Sequence, residues 1–79
     1  MKIFIVVRFW TPDERGATGS LTDCNVFKTE EEAVEYVRKE SNGREPEKNK
    51  MPQPELYYLS YITEWVNHLI NFYIIEKEL

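Results

Sequence analysis

Val26-Phe27-Lys28-Thr29-Glu30-Glu31-Glu32-Ala33-Val34-Glu35-Tyr36-Val37-Arg38-Lys39 is the stretch on which the reading of this chain turns. Thr29 stands three residues ahead of Glu32, the spacing of a capping box. Its hydroxyl can accept from the Glu32 N–H while the Glu32 carboxylate reaches back to the N–H of Thr29. Three glutamates then fill the first turn, where the positive end of the helix dipole favours carboxylates, and Arg38 and Lys39 stand in the last turns, where cations are favoured. Ala33, Val34, Tyr36 and Val37 form one apolar stripe, and Asn42-Gly43 offers the left-handed residue that ends helices. The spacing predicts a helix of about three turns with a single apolar side. A helix this short is marginal alone and needs a surface to cover.

The flanking segments supply that surface. Lys2 to Trp10 reads as a strand with Ile3, Ile5, Val7 and Phe9 on one face and Phe4, Val6, Arg8 and Trp10 on the other. Both faces are largely apolar, so the strand is either covered on both sides or meets a partner with its second face. Thr11 to Ser20, with Pro12, Asp13, Gly16 and Gly19, reads as a mobile hairpin loop. Leu21 to Lys28 is the more polar return strand, fitted to a place near an edge. Arg44 to Pro54 carries three prolines among alternating Glu and Lys and reads as a solvated connection rather than part of the core.

Leu56 to Val66 fits two periods. With period two, Tyr57, Leu59, Tyr61, Thr63 and Trp65 share a face; with helical period, Leu56, Leu59, Ile62, Val66 and Leu69 align behind a Pro54-Glu55 start. Its β-branched and aromatic residues favour the strand. Asn67-His68 is then a turn and Asn71 to Leu79 the last strand. The expectation is a single α+β domain over residues 1–79, a four-stranded antiparallel sheet with one helix on one face in the order ββαββ. The alternative is ββααβ with Pro54 to Leu69 helical.

Size and charge narrow the function. At 79 residues and a net charge of −4, the chain is near the lower limit for a core without staples, and its acidity argues against wrapping nucleic acid or an anionic membrane. Cys24 is the one cysteine, too few for an intrachain disulfide, and His68 the one histidine. No zinc-type cluster exists, no cofactor is implied, and a cytoplasmic location is expected. As a nucleophile Cys24 would need a lowered pKa, which its neighbour Asp23 opposes; a small buried hydrophobe is its default reading. His68 at a turn lacks the orienting partner that general-base work requires. Glu30, Glu31, Glu32 and Glu35 lack the oxygen-rich loop of a cation site. Glu76 and Glu78 alternate on one strand face, close enough to suggest a carboxylate pair, and charges that protect an edge strand explain them equally well.

The aromatic residues stand apart. Phe4, Trp10, Tyr57, Tyr58, Tyr61, Trp65, Phe72 and Tyr73 exceed what one short helix can shield, and Tyr, Trp and Arg are the residues that carry interface energy. Trp10, Tyr57, Tyr58, Tyr61, Trp65 and Arg8 are therefore the candidate binding residues, with Trp10 or Trp65 and the tyrosines near Tyr58 expected on the sheet face away from the helix. A homodimer follows as the symmetric way to cover such a face.

The opening Lys2-Ile3-Phe4-Ile5-Val6-Val7, the run from Val26 to Val37 and the closing Tyr73-Ile74-Ile75-Glu76-Lys77-Glu78-Leu79 together resemble small uncharacterised proteins common in bacteriophages and mobile elements. That resemblance implies an accessory protein, not an enzyme, that binds a host protein in the host cytoplasm, including an inhibitor of a host defence component of the anti-CRISPR kind. The alternative is a protein that binds or sequesters a signalling nucleotide in a dimer pocket lined by Tyr57, Tyr61, Trp65 and Arg8, with rings stacking on bases and arginine pairing with phosphate.

Overall fold

The computed structural model describes residues 1–11, 20–50, 55–62 and 69–79. It contains β1 (Lys2–Thr11), β2 (Ser20–Phe27), α1 (Glu30–Glu40), β3 (Glu47–Lys48), β4 (Glu55–Ile62) and β5 (Leu69–Glu78). The strands form one sheet in the order β2-β1-β5-β4-β3, with every neighbouring pair antiparallel. Over the described residues the fold is α+β with one helix, as expected, but the sheet has five strands rather than four.

The fifth strand comes from the proline-containing connection. Glu47 and Lys48 pair with Tyr58 and Tyr57 at the outer edge of β4, and Asn49 anchors the turn back by donating from its N–H to the Leu56 carbonyl (2.9 Å) and from Nδ2 to the Glu55 carbonyl (2.7 Å). Pro46 is buried beside it, so this connection is not wholly solvated. Two residues of pairing leave no periodicity to read. The helical alternative for Pro54 to Leu69 is overturned where the chain is described, because Glu55–Ile62 is strand and Leu69 opens β5. The Asn67-His68 turn and the body of the 12–19 loop lie outside the described residues.

Helix α1 begins as its capping residues dictate. Thr29 is extended (φ −127°, ψ 153°) and its oxygen accepts from the Glu32 N–H at 3.2 Å. The Glu32 carboxylate accepts from the Thr29 hydroxyl (3.0 Å) rather than from the backbone N–H. At the other end Ser41 caps the helix, its N–H and its hydroxyl both donating to the Val37 carbonyl (2.9 and 2.6 Å), while the Gly43 N–H closes on the Arg38 carbonyl at 2.7 Å. That bond, from the Gly43 N–H back to Arg38, is the Schellman closure, and it is made by Asn42 (φ 58°) and Gly43 (φ 87°) both entering left-handed space.

The helix packs over β1, β2 and β5. Glu30 in its first turn stands 3.8 Å from Lys48 on β3, whereas Tyr36 and Glu40 further along reach Asp23 on β2 (2.6 Å) and Arg8 on β1 (3.5 Å). Ala33, Val34 and Val37 pack on Phe4, Val6, Phe72 and Ile74, the buried core. Cross-strand register accounts for that grouping: Val6 stands opposite Ile74, Arg8 opposite Phe72 and Trp10 opposite Ile70, so all share the helix side. β5 is the central strand, but β4 pairs with it only as far as Ile75, so Glu76 and Glu78 stand on a stretch paired with β1 alone among the described residues. They close the end of the sheet by pairing with Lys2 (3.1 Å) and the N-terminal amine (2.9 Å).

Candidate functional site

The two sheet faces separate the candidate binding residues. By register Arg8, Trp10, Tyr57 and Tyr61 lie on the helix side, and only Tyr58 lies on the other. Of the two tryptophans offered for the helix-free face, Trp10 takes the helix side by the unbroken alternation of β1 from Phe4 through Trp10. Trp65 lies outside the described residues.

On the helix side, a polar network ties α1 to the sheet. The Arg8 guanidinium reaches Asp23 on β2 (3.3 Å) and Glu40 at the end of α1 (3.5 Å). Asp23 accepts from the Tyr36 hydroxyl at 2.6 Å, and that hydroxyl accepts from Asn25 Nδ2 at 2.9 Å. The Tyr36 bond, with Arg8 nearby, holds the Asp23 carboxyl below its ordinary range. Burial, and then donation to Asp23, pushes the Tyr36 phenol up to about 12. Two carboxylates thus balance Arg8, although its buried Nε has no hydrogen-bond acceptor among the described residues.

Beside this network is a ladder of flat groups. Arg8 lies 5.5 Å from the Phe72 ring centre, Phe72 stacks on Tyr61 (6.4 Å, 15° between planes), and Arg44 lies 4.2 Å from the Tyr61 ring centre. Arg44 also donates to the Ser41 carbonyl at 2.8 Å. Each contact of this cation–π type contributes about 0.5–1 kcal/mol where exposed and more where desolvated. Both arginines are occupied within the fold. A phosphate arriving here would compete with Asp23 and Glu40, which weakens the nucleotide reading at Arg8 and Tyr61.

Further along the helix a cleft of about 670 Å³ is lined by Phe27, Val34, Tyr57 and glutamates of the first turns, with Arg38 at its margin. Arg38 is held by Glu45 through two bonds of 2.6 and 2.7 Å and by Glu35 at 3.2 Å, and Lys48 stands 3.8 Å from Glu30. Among the described residues no three His, Cys, Asp or Glu side chains converge as metal ligands. These glutamates act as a dipole-matched helix start with local counter-ions.

The helix-free face is different in character. Register places Ile3, Ile5, Val7 and Phe9 of β1 beside Cys24 and Val26 of β2 on one side, and beside Tyr73 and Ile75 of β5 on the other, with Tyr58 and Ile62 of β4 beyond. Phe9 meets Tyr73 edge to face at 6.1 Å. Among the described elements only α1 packs across the sheet, and it packs on the opposite face. Val26, Ile62 and Tyr58 remain 59%, 43% and 39% exposed, and the Cys24 thiol is exposed rather than buried.

The aliphatic half of this surface is what a search for aromatics and arginine overlooks. Its signal is nevertheless present in the second apolar register of β1 and the matching Tyr73-Ile75 alternation of β5. Comparison with protein-family models, with curated proteins and with solved structures matches none of them. No helix among the described residues is long and apolar enough to cross a membrane.

Proposed function

We propose that this chain is a non-enzymatic protein-interaction module, encoded by a phage or mobile element, that binds and modulates a host protein in the host cytoplasm, with a defence component as the expected target class. The observation that carries the reading is the apolar helix-free face, on which Val26, Tyr58 and Ile62 stay open to solvent. Soluble monomers rarely leave a contiguous apolar patch of several hundred Å² uncovered, and larger ones mark interaction sites. Arg8 and Tyr61, two of the groups that would serve a nucleotide, are engaged with Asp23, Glu40 and Phe72 within the fold.

Affinity capture from a bacterial lysate tests this. A stoichiometric protein partner that is retained by wild type and by Glu35→Gln on the helix, but lost by the double variant Val26→Glu/Tyr58→Glu, supports it. Recovery of chaperones alone, across several hosts, would count against it.

A further inference from the structure

The occupant of the helix-free face can be specified further, resting on the reading that this face is an interaction surface. We infer that it binds a second copy of this chain, sheet against sheet, about a two-fold axis.

Area is the first argument. The four long strands span about 19 Å at 4.8 Å each, and eight residues of pairing span about 26 Å at 3.3 Å each. The projected footprint is thus about 500 Å², which side-chain relief raises toward the about 800 Å² per partner of a standard interface. Two twisted sheets stack with their strands about 30° apart and interdigitate their inner side chains. A flat face of alternating aliphatic and aromatic residues, such as Ile5, Val7, Tyr73 and Ile75, suits that arrangement.

Charge is the second. Each copy carries −4, so two copies repel unless their acidic groups are kept apart. The glutamates at 30, 31, 32, 35 and 40 all belong to α1, on the far side of the sheet. By register the charged residues of the helix-free face are Glu47, Glu55 and Lys77, with Glu47 on the edge strand β3 accepting from the Tyr58 hydroxyl at 2.7 Å. Face-to-face pairing therefore covers a face whose two glutamates and one lysine leave a net −1 of the chain's −4, with Glu47 at its outer edge, and keeps both α1 acidic layers outermost. A two-fold pairing also needs only one self-complementary patch.

Sedimentation velocity across micromolar to sub-millimolar concentrations decides the matter. Wild type should run as a species of twice 9.5 kDa, and Val26→Glu/Tyr58→Glu, on side chains exposed in the single chain, should weaken association by tenfold or more while the far-UV spectrum and cooperative melting persist. Glu35→Gln should leave it unchanged. Should the double variant fail to fold, dilution of wild type alone still tests the idea, because the methyl resonances of Val26 and Ile62 should shift with concentration and those of Val37 should not. A wild-type chain that stays at monomer mass throughout overturns the inference, as does a dimer that Val26→Glu/Tyr58→Glu leaves intact. A monomer that still holds a foreign protein through Val26 and Tyr58 overturns the second copy and leaves the interaction module standing.

Discussion

Val37→Ala measures how the helix is held. Val37 is fully buried, on the last turns of α1, against Val6, Phe72 and Ile74. Truncation removes two methyl groups, about 1.6 kcal/mol at about 0.8 kcal/mol each. If the site does not collapse, a cavity of about 40 Å³ adds about 1 kcal/mol. Alanine favours helix over valine and returns about 0.5 kcal/mol. The net expectation is a loss of about 2 kcal/mol, which in a domain this small lowers Tm by about 8–16 °C. Thermal melts by circular dichroism in dilute solution read it directly. Val26→Ala, the same chemical change on an exposed side chain of β2, should stay within about 0.5 kcal/mol there. If both variants melt alike, α1 does not derive its stability from the Val6, Phe72 and Ile74 contact, and the packing argument fails.

Other perturbations bear on the caps and the network. Thr29→Ala removes the hydroxyl that caps α1 and should cost about 1 kcal/mol, seen as an earlier urea midpoint. Gly43→Ala places a Cβ in open space but at φ 87°, so its cost of about 1 kcal/mol is backbone strain alone; an Asn there should lose less. Tyr36→Phe deletes the bond that most depresses the Asp23 carboxyl. A carboxyl lowered on folding stabilises above its unfolded pKa of about 3.9 and loses that contribution as pH falls through the folded value. The gap between wild type and Tyr36→Phe should therefore be open at neutral pH and close in acid, as urea midpoints across that range would show. For the phenol the sign reverses. Tyr36, raised to about 12, stabilises below the unfolded tyrosine pKa of about 10, and that contribution fades as pH rises toward its folded value; Tyr57, Tyr58 and Tyr61 are raised as well, so absorbance titration should find several late tyrosines, one fewer in Tyr36→Phe.

The helix was legible because its determinants are local. Thr29, Glu32, the acidic first turn and Asn42-Gly43 act within a few residues of one another, and each occupies the position its spacing indicates. Strand identity was legible from alternation. Strand order was not, because nothing near Glu76 or Glu78 records that β5 lies between β1 and β4. The two-residue β3 exists only through its pairing with Tyr57 and Tyr58. The candidate site divided for a similar reason. β1 is apolar on both faces, and what sends the helix to the Phe4 and Val6 side is the company of Phe72 and Ile74 from a strand some seventy residues away. Arg8 and Trp10 follow that choice, and the helix-free face is left to their aliphatic neighbours.

The position of β5 has a consequence for how the chain comes to be folded during synthesis. β1 leaves the ribosome before the other described strands, yet the partner for one of its two edges is the stretch from 69 to 78. Until that stretch emerges, β1 can pair only with β2, and half of its backbone donors and acceptors, with two apolar faces above and below, wait unpartnered. Pairings such as Lys2 with Glu78 close nearly the whole chain into one loop, the kind of contact that slows folding and prolongs exposure of sticky edges. A nascent chain stalled before residue 69 should be a client of ribosome-bound chaperones, whereas one extended past residue 79 by a flexible linker should resist protease while still tethered.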